Sequence, residues 1–528
     1  MTTSSRKLSK IDDFFELDKF QLVVLLFNEF LIFTMVSNVV FNIFGTAPPR
    51  LFGCDDVFYN GTRAEICQQY RLHEYCQKPM LHYEFVSATV EFNQLCGKTE
   101  DTWLSSIMNP LGMTNKPKLS TTSQMVGIMV GSAIAGQMSD LYGRKRTTLW
   151  SLIFMLISST ASSFSPSMDI FIVFRFFIGM ACGSLSTVGV IFIVELLPAA
   201  HRLWLCTVIT WAPNYMIFAL FGYLTGTWRA LSRVSNIINL VAVLICAFLM
   251  PESPKFLVQK GKQEEAVKAM KYINKWKSSD NRFSLEEIKS VVETTSDSAC
   301  KGRLKAKKYS FIHLYSTPSF AIRTVVLSVM MFSLSYVTYG LIFNLDVIKG
   351  SVYLNTAFSG LLRWIVGATV AVVDHFGGKH FGRKRLHFLS MIIIMLSMGL
   401  IFILKVSGLD SDYAGFVRGL TLFAFGTTGC LFLQYALITS ELFPTPIRNL
   451  ANANTNVCGR IGNVLGPLVF SLAIPLRGAP YLIMSILCAI NVILFIVFIP
   501  ETKGQPLPNE MPPKKIRGAV EEKLITSA

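Results

Sequence analysis

Polar surface is what this sequence has least of. Charged residues fill only 16% of its 528 positions, and its seven histidines are scattered. No His-x-x-Glu-His ligand set and no Gly-x-x-x-x-Gly-Lys-Ser/Thr phosphate loop occurs, so an enzyme is disfavoured and neither metal nor cofactor is expected. Without a nucleotide site, any uphill work must draw on an ion or solute gradient. Acidic residues are also short, 33 against 49 Lys and Arg, for a net charge of +16. Such a balance invites a nucleic-acid partner, but the basic residues gather in links between apolar runs, as loops do under the positive-inside rule. Nucleic acid is therefore not an expected partner; the lipid bilayer is. Met1 to Lys19 has no apolar core and no small-residue cleavage site, so the first apolar run is expected to act as its own signal anchor.

What the chain has in plenty is apolar residues, 52% of the total, with 41 Phe among them. A span of the bilayer needs about 20 mostly apolar residues, and twelve runs qualify. They are Phe20 to Val40, Thr122 to Met138, Thr148 to Phe164, Ile170 to Val194, Leu203 to Leu224 and Ile237 to Met250, then Ile322 to Leu345, Tyr353 to Val373, Leu386 to Leu404, Ala414 to Thr439, Ala453 to Leu472 and Tyr481 to Ile499. The expected fold is an all-α polytopic membrane protein of twelve transmembrane helices in two pseudo-symmetric six-helix bundles. Residues 1–19 form the N-terminal segment, 20–250 the first bundle with a long outer loop at 42–120, 251–318 a linker, 319–500 the second bundle and 501–528 the tail.

Short charged phrases support the duplication. Glu195-Leu-Leu-Pro ending in Arg202 returns as Glu441-Leu-Phe-Pro ending in Arg448, Gly143-Arg144-Lys145-Arg146 as Gly382-Arg-Lys-Arg385, and Pro251-Glu-Ser as Pro500-Glu-Thr. All three keep their order at nearly one offset and sit at the ends of apolar runs, the pattern of a secondary transporter built from repeated bundles.

Charge sets the expected topology. The links holding Arg144 to Arg146, His201 and Arg202, Lys379 to Arg385 and Arg448 belong on one side, the cytoplasm, and the Lys-rich linker with its helix-like stretch Glu264 to Trp276 joins them. Both termini then face the cytoplasm, with the plasma membrane as the expected location. The loop 42–120 falls outside and holds Cys54, Cys67, Cys76 and Cys96. Two disulfides are expected there, in any of three pairings. The loop also carries the one Asn-x-Ser/Thr triplet, at Asn60, an expected glycosylation site.

The phrase Gly136-x-x-x-Asp140-x-x-Gly143-Arg144-Lys145 resembles the signature of the major facilitator superfamily. Phe92-Asn-x-x-Cys96, Trp228-Arg229, Pro251-Glu-Ser-Pro-Lys-Phe-Leu257 and Glu441-Leu-Phe-Pro-Thr-Pro-Ile-Arg448-Asn449 resemble its organic cation/anion/carnitine transporter branch, with sugar porters as neighbours. The resemblance implies a gating role for Gly136, Asp140, Gly143, Arg144, Lys145, Arg175, Glu195, Arg202, Glu441 and Arg448. Physically, Asp140 could face the positive end of a neighbouring helix and Arg144 could pair with Glu195. These interactions would hold while the halves are closed on the cytoplasmic side and be lost as they part. One departure stands out: Lys379 occupies the place of the second Asp, with Asp374 the only nearby substitute.

A charge at mid-membrane normally faces a cavity or a partner. Arg460, Arg363 and Glu29 meet that description; Arg418 lies near enough to a helix end to snorkel. Arg460 and Arg363 resemble the basic residues of anion-carrying relatives, and Tyr336 and Tyr339 resemble the branch's aromatic phrase, with Tyr215 and Trp211 as further candidates. These residues form the expected substrate site, in which Glu29 could neutralise an arginine. Two guanidiniums over a cavity attract carboxylates and sulfates. The reading is a transporter of small organic ions working by alternating access, leaning to anions, with a possible coupling ion or counter-solute. The alternatives are an organic cation or carnitine-like zwitterion transporter, a sugar porter, and a transporter-like solute sensor.

Overall fold

A computed structural model describes residues 11–61, 63–72, 76–96, 115–198, 210–277, 282–305, 311–343, 350–376, 382–470, 476 and 478–502. Twelve long helices dominate it. In chain order they are α1 (Lys19–Val39), α2 (Lys116–Tyr142), α3 (Arg144–Ser162), α4 (Met168–Leu196), α5 (Trp211–Thr225), α6 (Trp228–Phe248), α7 (Pro318–Ile342), α8 (Val352–Phe376), α9 (Arg383–Val406), α10 (Ala414–Leu442), α11 (Thr445–Leu468) and α12 (Ala479–Phe498).

Eight of these are long and apolar enough to cross a bilayer on length and composition alone. The others, α2, α3, α5 and α11, are short as described or rich in Ser, Thr, Asn and basic residues. Polar side chains also shift the boundaries away from the apolar runs. The sixth run suggests a start at Ile237, yet α6 begins at Trp228 because the Thr227 hydroxyl accepts from the Ala230 amide at 3.3 Å. The helix then buries Ser232, Ser235, Asn236 and Asn239 against its neighbours.

Packing repeats six helices on. α2 packs on α4 as α8 does on α10, α3 on α6 as α9 on α12, and α1 on α5 and α6 as α7 on α11 and α12. The α2–α4 seam is tight because Gly127 and Gly131 lie against the backbone of Phe176 and Met180, while Gly179 and Gly183 lie against Gln124 and Ile128. Backbones can approach that closely only where no Cβ intervenes. The halves meet along α5–α8 and α2–α11, two seams that the pseudo-twofold exchanges.

Between α1 and α2 a small domain stands on one side of the bundle, called here the loop side. Its strands β1 (Arg50–Cys54), β2 (Val57–Phe58) and β3 (Pro79–His82) form an antiparallel sheet in the order β2-β1-β3. Of the three pairings open to its cysteines, the structure selects Cys54–Cys76 and Cys67–Cys96. On the opposite, linker side, helices Pro254–Gln259, Gln263–Asn274 and Leu285–Lys305 connect the halves. The N-terminal segment docks there: Lys277 donates to the Phe14 carbonyl at 2.7 Å, and Phe14 packs on Phe283. Burial pushes the Lys277 ammonium below its ordinary value.

Candidate functional site

The duplicated phrases meet at the linker-side ends of the helices. Gly143 adopts a φ of 109° that few residues other than glycine tolerate, and α3 starts immediately after it. One Glu252 oxygen accepts from the amides of both Arg144 and Lys145 at 2.9 Å, and the Lys145 ammonium reaches the Ala247 carbonyl at 3.0 Å. The second half repeats the device: Glu501 accepts from the Arg383 amide at 2.9 Å and the Lys384 amide at 3.1 Å, and Lys384 reaches the Ile496 carbonyl at 2.7 Å. A carboxylate at a helix N-terminus suits the orphan amides and the helix dipole. Thus the Glu of the Pro-Glu-Ser/Thr phrase, rather than Asp140, occupies the N-terminus of α3. Asp140 is exposed and accepts from Arg144 at 2.8 Å.

Arg144 and Glu195 are 3.5 Å apart, and so are Arg383 and Glu441. Both contacts lie within one half. Arg448 does not pair with Glu441; it donates to the Phe443 carbonyl at 3.3 Å. Arg202, Lys379 and the side chain of Asp374 lie outside the described residues. At these ends Oε2 of Glu195, Oε2 of Glu441, Nη2 of Arg448 and Nε of Arg144 are buried without a hydrogen-bond partner among the described residues. Gly136 faces open space, since a Cβ there would meet nothing within 4 Å. Among the described residues no hydrogen bond or ion pair joins the halves on this side.

The loop side is bridged. The Lys118 ammonium donates to the Phe343 carbonyl at 3.1 Å, the Tyr353 hydroxyl to the Glu84 carbonyl at 2.9 Å, and the Val352 amide to the Glu84 carboxylate at 3.3 Å. Tyr353 is also ringed by Phe44, Phe85 and Tyr223. The segment that carries Glu84 is fastened to the first half, where Val86 exchanges backbone hydrogen bonds with Gly226 and Trp228 at 3.0 Å. Glu91 there accepts from Trp228 at 2.6 Å and from Arg229 at 2.7 and 2.9 Å. Burial pushes the Glu91 carboxyl up, but these bonds and the guanidinium charge outweigh it and hold it below its ordinary value.

Between the two ends, α4, α5, α7, α8, α10 and α11 bring polar and aromatic side chains together in a region called here the chamber. The Arg460 guanidinium donates from Nη2 to the Ser186 hydroxyl at 3.0 Å, a bond between the halves. Ser186 sits in a single π-helical turn of α4, Leu185–Gly189, a distortion often found at functional sites. Arg363 lies under two rings of α10, Phe425 at 5.3 Å and Phe432 at 5.9 Å, in space that Gly429 leaves open. Tyr215 meets Phe425 edge-on at 6.2 Å. Tyr339, half-buried, lies within electrostatic reach of both Arg460 and Arg363. No carboxylate among the described residues is paired with either arginine. Arg460, Arg363 and Tyr339 thus fall in one region of the bundle.

Other candidates lie elsewhere. Tyr336 is buried in the seam between α7 and α11, its backbone against Gly466. Glu29 is half-buried on α1 and pairs with no arginine among the described residues. Arg175 stands far from Glu195 on the same helix, toward the loop side, with its guanidinium 4.0 Å from the Phe41 ring. It takes no part in the linker-side cluster. Ser186, Phe425, Glu252, Glu501 and Glu84 were not singled out from sequence, although the repeated Pro-Glu phrase pointed at two of them.

Residues 80–512 match the family described as sugar (and other) transporter. The chain belongs to the major facilitator superfamily. This facilitator is 30% identical over 413 residues to solute carrier family 22 member 6-A of Xenopus laevis, covering 75% of this chain and 69% of that one. It is 29% identical over 394 residues to organic anion transporter 3 of Oryctolagus cuniculus, covering 73% and 69%. Its fold matches a partially occluded, inward-open structure of the xylose transporter XylE from E. coli, with a TM-score of 0.60 and 17% identity over 91% of this chain and 99% of that one. It is a multi-pass membrane transporter of the solute carrier family 22 type, and its relatives are transporters rather than enzymes.

Proposed function

We propose that the protein carries small organic anions across the plasma membrane by alternating access, with the termini and linker in the cytoplasm and the disulfide-bonded domain outside. The observation that carries this reading is that two guanidiniums, Arg460 and Arg363, lie within electrostatic reach of Tyr339 with no described carboxylate to neutralise them. A half-buried cation without a counter-charge favours a carboxylate or sulfate ligand. The rings of Phe425, Phe432 and Tyr215 supply an apolar wall for an aryl or alkyl body. The name of one relative, organic anion transporter 3, supports the same sign.

In this reading the bridged loop side is the closed gate and the linker side the open one. The unpartnered oxygens of Glu195 and Glu441 are groups whose partners return when the cytoplasmic side closes. Asn60 is exposed beside β2, where a glycan would be accommodated. A second reading, a carnitine-like zwitterion as cargo, draws on unpaired Glu29, which could hold an ammonium group. Uptake of a labelled aryl carboxylate and of a labelled quaternary ammonium by vesicles holding wild type or Arg460→Asp decides among these. Saturable uptake of the carboxylate that the variant loses fits the proposal. Uptake of the ammonium alone, or carboxylate uptake unchanged in Arg460→Asp, overturns it, and binding without accumulation marks a sensor.

A further inference from the structure

An apolar face stands just ahead of α7, and no described residue covers it. A short 3-10 helix, Phe311–Tyr315, buries its Leu314 against the bundle, where it packs on α7 and α11. Phe311, Ile312 and Tyr315 stay exposed, by 49%, 77% and 50%. Depth decides what can cover them. The Leu314 carbonyl accepts from the Thr324 hydroxyl at 3.4 Å, so the short helix lies back along the first two turns of α7. Its 25 residues make α7 about 37 Å long, against about 30 Å for the hydrocarbon layer. The end turns therefore reach the headgroups, and the short helix lies at their level. Arg323, half-buried in the second turn, puts a cation at that level, where a long basic side chain snorkels.

We propose that Phe311, Ile312 and Tyr315 dock into the linker-side leaflet of the bilayer and that the lipid they select is anionic. Charge carries the second part: from Ser298 to Leu345 the sequence holds six Lys or Arg and no Asp or Glu. Basic residues next to a spanning helix attract anionic headgroups, roughly fivefold in affinity for each. Aromatic rings suit the same zone, with an apolar body in the acyl chains and, in tyrosine, a polar tip among the headgroups. The anchor acts on one half. The linker helices are fastened to the first half, where the Tyr272 hydroxyl donates to the Leu249 carbonyl at 3.2 Å, whereas the short helix packs on α7 and α11 of the second. Anionic lipid therefore grips the linker-side end of the second half, whatever the cargo.

The test is hydrogen exchange of the full chain in nanodiscs of phosphatidylcholine alone or mixed with phosphatidylserine, read by mass spectrometry. Peptides spanning Phe311–Tyr315 should exchange about fivefold or more slowly with the anionic lipid present. Peptides of Gln263–Asn274 should keep their rates. About 0.5 M salt, with a screening length near 4 Å, should abolish the difference. So should Phe311→Ser, Ile312→Ser and Tyr315→Ser together; should that variant fail to fold, the salt series on wild type decides. Equal exchange in the two membranes overturns the proposal. So does a slowing that salt leaves intact or that appears only with two copies in a disc, since protein rather than lipid then covers the face.

Discussion

Cutting the bond between Ser186 and Arg460 tests the chamber most directly. Arg460→Met keeps the bulk of the side chain and removes its charge. With no described carboxylate to compete, a bound anion should lose a charge-assisted hydrogen bond, about 2–3 kcal/mol or roughly 30- to 150-fold in apparent affinity. A bare Coulomb estimate at close range and an intermediate dielectric, about 4 kcal/mol, sets the ceiling. Ser186→Ala removes only the 3.0 Å contact that steadies Nη2 and should cost about 1 kcal/mol, near fivefold. If the serine acts solely by holding that arginine, the double variant should match Arg460→Met within about twofold, because the two losses are one loss counted twice. The assay is the concentration dependence of labelled aryl carboxylate uptake in the four proteins, with a quaternary ammonium as control. Additive losses refute the coupling, and equal losses for the ammonium refute the charge argument.

Further outcomes concern the two ends. Glu252→Ala should destabilise the protein by about 1–2 kcal/mol, the usual effect of losing a helix cap with its dipole interaction; Glu501→Ala should do the same in the other half, with the Gln variants milder in thermal melts. For Glu91, whose folded value lies below its ordinary 4.5, wild type should melt above Glu91→Gln at neutral pH, the gap shrinking as pH falls below 4.5 and the native carboxylate takes up its proton. A gap that widens with acid would contradict the arrangement at Trp228 and Arg229. Tyr353→Ala removes a hydrogen bond and three ring contacts from the loop-side closure. It should speed labelling of an engineered chamber cysteine by an impermeant thiol reagent from that side, and an unchanged rate would show that the closure rests elsewhere.

Much of this was legible before any coordinates. Apolar runs and repeated phrases gave twelve helices in two halves, because both signals are local and periodic. Arg460 and Arg363 were visible as charges that lipid would reject. Ser186 and Phe425 were not, because a serine or phenylalanine in an apolar helix is commonplace until a π-helical turn or a neighbouring arginine gives it a role. Tyr336 and Tyr339 look alike in sequence; only the glycine seam with α11, which swallows Tyr336, separates them. Disulfide pairing depended on how the sheet folds back, a matter of long-range contact. The pairing of Glu195 and Glu441 with the arginines that open α3 and α9 was half legible: the residues were marked, but the capping glutamates beside them went unread.

The fastening of the loop-side domain is unequal. It is stitched to the first half through the Val86 backbone and the Glu91 clamp, and touches the second half through Glu84 and the Phe85 ring among the contacts described. When the halves part on that side, the domain must ride with the first as a door stays with its hinge. The second half slips free by giving up a hydroxyl, an amide and a few ring contacts. A binder that grips only the domain would move with the first half and leave transport running, whereas one that also seizes the start of α8 would bolt the door.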